Sequence, residues 1–373
     1  MSVPMPQAMI CAPKPVRRRA LLASALALPA WRQAAAAGPQ DFYMPDEADR
    51  HQRTWMAFGA AEAVWGDRLL PEVRRNLALI AATIARFEPV TMLARPAEIA
   101  LVRSLLGSGV ELLASPLDDL WMRDTGPVFV RNEAGQRAAV NFNFNGWGHK
   151  QAHAQDAQVA RRVAARAGVP LQATELVLEG GGIEVDGQGT AIIAESCVLN
   201  ANRNPGLSKA DCEALLMPLL GLDKIIWIPG IRGKDITDGH TDFYARFARP
   251  GLVMAGFDPD PQSHDHAITQ RHLQILRAAT DARGRPLQVV VLQGPEKVRP
   301  AFETNEFAGG YIGFYACNGA IIAQEFGDDA ADRAARDALR SAFPGRQIIQ
   351  LNVDGIAAGG GSIHCTTQQE PAA

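Results

Sequence analysis

Along the chain, short apolar runs rich in β-branched residues alternate with longer segments whose apolar positions recur at helical spacing. The clearest of these segments is Leu69–Phe87, where Leu70, Val73, Leu77, Ile80, Ala81 and Ile84 return every three or four residues and share one face. Further helices are predicted at Ala97–Leu106, Ala154–Ala167, Lys209–Leu219, Ala267–Thr280 and Asp329–Ala342. Between them, Pro89–Leu93, Glu111–Ala114, Ala191–Ala194, Lys224–Ile228, Gln288–Leu292 and Ile348–Asn352 predict strands. No Ser/Gly linker or charge block divides the alternation, which predicts one α/β domain over residues 42–371.

A weaker regularity overlies it: an apolar strand meets a short loop carrying Gly with an acid, His or Cys, and another strand begins. The centres are Trp55, Asp124, Glu179, His240, Tyr311 and Cys365, separated by 69, 55, 61, 71 and 54 residues. Such spacing predicts repeated α/β units whose loops converge on one point.

Composition changes the picture at the N-terminus. Lys14, Arg17, Arg18 and Arg19 precede the apolar run Ala20–Ala30 and the small residues Ala34–Gly38, the order of an export signal. Arg18-Arg19-Ala20-Leu21-Leu22 resembles a twin-arginine signal, with Arg17 where Ser or Thr is usual. We expect residues 1–37 to be removed and the mature chain to be periplasmic. That cut takes five positive charges and no acid from a chain of net charge −3, leaving 32 basic against 40 acidic residues. The balance excludes a nucleic-acid-binding face and suits a cationic partner. The apolar run is too short to span a membrane, which needs roughly 20 residues. Cys197, Cys212, Cys317 and Cys365 would remain, an even number that permits disulfides but is too few for a framework.

Four segments could carry chemistry. Gly359-Gly360-Gly361-Ser362-Ile363-His364-Cys365 sets a thiol behind a glycine run that lets backbone approach a ligand closely. Cys197 and Cys317 read instead as strand interior. His240 and Asp242, two apart in Thr237-Asp-Gly-His-Thr-Asp, share a face if the segment is a strand. Trp121-Met-Arg-Asp124-Thr-Gly-Pro pins an Arg-Asp pair, and Leu178-Glu179-Gly-Gly-Gly brings a carboxylate out of an apolar strand. Each alone is equally a buried small residue, a turn or a structural salt bridge. Together, Cys and His fit a thiol hydrolase, while zinc held by Cys365, His240 and an acid is another option, without the usual ligand spacing. The surplus of carboxylates favours a guanidinium, which asks for planar paired hydrogen bonds.

With these motifs in hand, the chain resembles the agmatine deiminase family, grouped with the bacterial type of peptidylarginine deiminase in the guanidino-group-modifying superfamily. The resemblance runs from Met44 to Pro371. It is carried by Met44-Pro-Asp-Glu, Arg53-Thr-Trp-Met, Trp121-Met-Arg-Asp-Thr-Gly-Pro, Asn143-Phe-Asn-Gly-Trp-Gly, Leu178-Glu-Gly-Gly-Gly, Asn202-Arg-Asn-Pro-Gly-Leu-Ser-Lys, Thr237-Asp-Gly-His-Thr-Asp and Gly359-Gly-Gly-Ser-Ile-His-Cys-Thr-Thr-Gln-Gln. It implies a five-bladed, pseudo-symmetric α/β propeller of ββαβ-type units around a central site. It also implies roles: Cys365 the nucleophile, His240 the proton carrier, Asp124 and Asp242 the guanidinium clamp. Glu179 orients the histidine or holds the substrate. Trp121 and Trp147 are candidate substrate contacts, Trp121 favoured for packing and Trp147 for lining the site. No metal or organic cofactor is implied. The expected partner is a small cationic guanidino substrate, with no nucleic acid and no membrane span, and a homo-oligomer is left open. Hydrolysis of agmatine to N-carbamoylputrescine is the leading expectation. The alternatives are deimination of peptidyl or free arginine and a non-catalytic guanidino-compound binder. Phe58-Gly59-Ala60, His149 in Gly148-His149-Lys150 and Tyr311-Ile-Gly-Phe-Tyr depart from the usual family pattern and bear on the substrate's far end.

Overall fold

In a computed structural model of the chain, residues 41–373 are described, and the predicted export signal over residues 1–37 lies outside them. The apolar runs form strands in five small sheets, four of them three-stranded. Strands β1 (His51–Phe58), β2 (Val90–Ala94) and β3 (Glu111–Ala114) build the first, and β4 (Val128–Arg131), β5 (Arg137–Asn141) and β6 (Leu171–Ala173) the second. The third holds β7 (Ile183–Val185), β8 (Thr190–Ala194) and β9 (Lys224–Ile228), the fourth β10 (Ala245–Arg249), β11 (Leu252–Phe257) and β12 (Gln288–Gln293). The fifth holds β13 (Tyr315–Cys317), β14 (Ala320–Gln324) and β15 (Gln347–Leu351). In sheets two to five the first pair is antiparallel and the second parallel, and a parallel step requires a crossover.

The crossovers are the amphipathic segments: α1 (Glu62–Ile84) joins β1 to β2, and α2 (Ile99–Leu106) joins β2 to β3. In the later sheets α3 (Val159–Ala167), α4 (Lys209–Leu220), α5 (His264–Ala278) and α6 (Asp329–Ala342) take the same place. Helix α1 starts seven residues ahead of the predicted Leu69 and bends at Gly66, whose φ is +63°. The expected ββαβ repeat is thus present five times. The first sheet completes it with the last strand of the chain, β16 (Thr367–Pro371), laid antiparallel on β1. Glu370 secures this closure by accepting from Trp55 Nε1 at 2.9 Å and pairing with Arg137.

Packing explains why the strands read as unbroken apolar runs. In β1, Trp55 and Ala57 face a core shared with Phe129 and Ala139 of sheet two, whereas Met56 and Phe58 face Tyr315 and Ile322 of sheet five. In β14, Ile322 serves that core and Ile321 the one with Met254 of sheet four. A larger cluster joins sheets two, three and four through Val128, Ile193 and Val253. Every sheet therefore buries both faces against its neighbours, and alternation of side chains along each strand supplies both.

The loops that enter the first strand of each unit hold Asp124, Glu179, His240, Tyr311 and Cys365, five of the six centres read from the sequence. Trp55 is the exception, since it lies within β1 as a fully buried core residue. One local reading is also corrected and another is resolved. Cys197 sits in a helical turn, Glu195–Val198, because β8 ends at Ala194; Cys317 is in β13 as expected. His240 precedes and Asp242 lies within a 3-10 turn, Thr241–Phe243, ahead of β10, so of the strand and the turn left open by the sequence the turn is present. Cys197, Cys212, Cys317 and Cys365 are all free thiols.

Candidate active site

The four entering loops that carry Asp124, Glu179, His240 and Cys365 meet at the inner end of a cavity of about 220 Å³. Cys365, His240, Asp124, Trp121 and Trp147 line it, so both candidate tryptophans are wall residues. Glycines make the wall possible: a Cβ on Gly361 would fall 2.2 Å from the Trp121 ring, and one on Gly359 2.3 Å from Trp65. Trp65 and Trp121 in turn pack on each other with centroids 5.7 Å apart. The more exposed lining is apolar at Val64 and Ile236 and acidic at Glu306, while Asp119 is a buried lining residue whose oxygens accept from Trp65 Nε1 and Gln151 Nε2. His149 is exposed and is not among the lining residues.

Cys365 opens β16 from the 3-10 turn His364–Thr366. Its Sγ lies 3.2 Å from Ser362 Oγ and 3.8 Å from Asp242 Oδ2. Burial, then the charges of Asp242 and Asp124, push the thiol well above its usual range, which favours the neutral thiol over the thiolate. Asp242 is not itself part of the cavity lining. Its Oδ2 accepts from His364 Nδ1 at 2.7 Å, while the buried Oδ1 has no hydrogen-bond partner among the described residues. A buried orphan acceptor beside the thiol is a place for an incoming N–H.

Asp124 enters on the helical turn Met122–Thr125. Trp147 Nε1 donates to its Oδ2 at 2.9 Å and Gly181 N to its Oδ1 at 3.0 Å, which fix the carboxylate in place. Burial raises its pKa, which the His240 charge only partly offsets. Arg123, beside it in sequence, pairs with Glu47 instead.

His240 lies between carboxylates, with Nε2 3.3 Å from Glu179 Oε2 and Nδ1 3.7 Å from Asp124 Oδ1. Burial opposes a charge on the ring, but Asp124, Glu179 and Asp242 outweigh it and raise the pKa to about 9. Of the two roles expected for Glu179, the geometry fits the first: it is fully buried behind the histidine, held by Arg203 Nε at 2.9 Å. Arg203 is held in turn by Asp238 at 2.6 Å, and Asp238 by Lys150 at 2.8 Å. A folded-state pKa above the ordinary 6.5 stabilises the fold fully below pH 6.5 and loses that contribution as pH rises to about 9. Unfolding free energy from urea titrations is expected to fall by about 3 kcal/mol across that window. A His240→Asn variant should show a flatter profile there.

Sequence reasoning gave no role to Glu47, Ser362 or His364, although all three lie within quoted motifs. Contact with the thiol marks Ser362, and pairing with Asp242 marks His364.

Comparison with known proteins agrees with this arrangement. The family model described as Porphyromonas-type peptidyl-arginine deiminase matches residues 43–371. A Streptomyces coelicolor relative is 43% identical over 338 residues, spanning 88% of this chain and 99% of its own length. The agmatine deiminase of Stutzerimonas stutzeri is 38% identical over 357 residues, 89% of this chain and 96% of that protein. Among solved structures, the agmatine deiminase of Enterococcus faecalis catalysing its reaction superposes with a TM-score of 0.84 at 31% identity, covering 89% of this chain and 96% of that one.

Proposed function

Because the chain belongs to the Porphyromonas-type peptidyl-arginine deiminase family, we propose that its site hydrolyses agmatine to N-carbamoylputrescine and ammonia. The observation that carries the substrate is the outer cavity. Its walls are apolar and carry the exposed acid Glu306, with no lysine or arginine among the described lining residues. That lining suits a butyl chain ending in an ammonium and offers no cation to an α-carboxylate.

The chemistry follows from what a guanidinium resists. Its delocalised charge makes the central carbon a poor electrophile, so it must be held planar against the nucleophile. Asp124 and the free Oδ1 of Asp242 supply acceptors on either side. The cation that they hold offsets the charges that keep Cys365 protonated, so substrate binding favours the thiolate, whose proton passes to water. Attack of Sγ on the central carbon gives a tetrahedral adduct. His240, charged at neutral pH, passes its proton to the departing nitrogen, and ammonia leaves a covalent thiouronium. The neutral ring then takes a proton from water, the resulting hydroxide adds to the same carbon, and collapse releases the urea as the adduct's hydroxyl proton passes to the departing sulfur and restores the thiol.

Ammonia and ureido product from agmatine, free arginine and an arginine peptide test this reading. Turnover of agmatine in preference to the others is expected. Turnover of the peptide alone would keep the mechanism and replace the substrate, and silence on all three would overturn the reading. The export signal read in residues 1–37, outside the matched region, supports action in the periplasm, and recovery of the mature chain from that fraction tests it.

A further inference from the structure

Behind the nucleophile lies a buried charge cluster that the reaction above does not use. His364 Nδ1 meets Asp242 Oδ2 at 2.7 Å, and Nε2 meets Glu47 Oε2 at 2.8 Å. Ionised carboxylates only accept, so both ring nitrogens must carry hydrogen. Both acids are in that state: burial opposes their charge, but His364 and His240 lower Asp242, and Arg246, His364 and Arg123 lower Glu47. Arg123 and Arg246 touch Glu47 at 2.9 and 2.8 Å, and Glu184 pairs with Arg246 at 3.0 Å. The cluster thus sets His364, Arg123 and Arg246 against Asp242, Glu47 and Glu184.

We infer that His364 is a positioning residue, an imidazolium clamped by Glu47 that holds Asp242 by Oδ2, leaves Oδ1 for the substrate and offsets the Asp242 charge beside Cys365. The same Oδ2 lies 3.8 Å from Sγ, so whatever neutralises it favours the thiolate. Glu47, from the segment ahead of β1, reaches 317 residues along the chain to do this and is the second member of the device. The inference rests on the reading of Cys365 as nucleophile but not on the identity of the substrate.

The test is the rate at which iodoacetamide alkylates Cys365 at fixed pH, followed by peptide mass, in wild type, His364→Asn, His364→Gln and Glu47→Gln. Loss of the cation should slow alkylation about tenfold in both His364 variants and about threefold in Glu47→Gln, because the thiolate fraction falls. A role confined to packing predicts the opposite, since a loosened site exposes the thiol and speeds alkylation. His364→Asn keeps a donor near the Nδ1 position and should raise KM for agmatine less than His364→Gln, which releases Asp242. Wild-type alkylation rates in folded variants would overturn the inference. If the variants do not fold, side-chain 15N spectra of the wild type decide it. Hydrogen on both nitrogens of the assigned His364 ring is expected, and a ring with one bare nitrogen would overturn it. Loss of agmatine turnover in the wild type would overturn the substrate reading and leave the alkylation result standing.

Discussion

Cys365→Ala is expected to release no ammonia from agmatine while folding as the wild type does. The sulfur touches only Ser362 Oγ and Asp242 Oδ2 within bonding range, and neither depends on it for its own placement. Its removal should cost no more than about 1 kcal/mol of stability. The rate, by contrast, has no second route. Water would have to attack a resonance-stabilised cation directly, and in covalent catalysis loss of the nucleophile typically costs on the order of 10⁴-fold or more. Cys365→Ser separates position from reactivity: a hydroxyl in the same place has a far higher pKa, so binding should survive while turnover does not. Residual turnover above about 1% in a folded alanine variant, measured as ammonia and ureido product, would remove Cys365 from the role of nucleophile.

The second large effect comes from three consecutive glycines, Gly180–Gly182, each with a different outcome. A Cβ at Gly181 would lie 2.6 Å from His240 Nδ1, 2.9 Å from Asp124 Oδ1 and 3.0 Å from Asp242 Oδ2. One methyl would press on His240, Asp124 and Asp242 at once. Each of the three is buried and held by its own partners, so none yields cheaply. Gly181→Ala is therefore expected to lower kcat/KM by about 10²-fold or more through misplacement of reacting groups. Its stability should change by about 1–3 kcal/mol, as overpacking does. At Gly182 the nearest atoms to an added Cβ are 3.4 Å away, ordinary contact, and Gly182→Ala should be nearly silent. At Gly180 the added atom would fall 2.3 Å from the Arg123 carbonyl oxygen, a backbone clash that should prevent folding. Circular dichroism, thermal unfolding and steady-state kinetics on the three variants check the order. Equal activity in Gly181→Ala and Gly182→Ala would contradict the geometry.

The legible parts of the site were those written locally. Asp124, Glu179, His240 and Cys365 each stand beside glycine or a tight turn at an entering loop, and the repeat made their spacing visible before any contact was known. Trp55 met the same pattern by composition, yet it is a core residue of β1, because a polar flank and a nearby glycine do not distinguish the first strand of a unit from its second. The choice between strand and turn at His240 and Asp242 was open in the sequence for a related reason: the 3-10 turn is closed by Tyr244 N donating to Thr241 O, which no two-residue periodicity reveals. Glu47 and His364 were present in quoted motifs without a role, since what gives them one is a pairing across most of the chain. Pair chemistry of that kind is invisible until the ring closes.

Closure also sets an order of events. The strand that completes the first sheet begins two residues after the thiol, and its Glu370 reaches a Trp55 that lies 315 residues earlier. Contacts of such separation carry the largest loop-closure cost and form late. Until they form, Cys365 lies apart from the loops bearing Asp124 and His240, so a partly folded chain offers a thiol but no clamp and no proton donor. Competence should therefore appear in one step at the end of folding, with refolding monitored by turnover lagging refolding monitored by helix content.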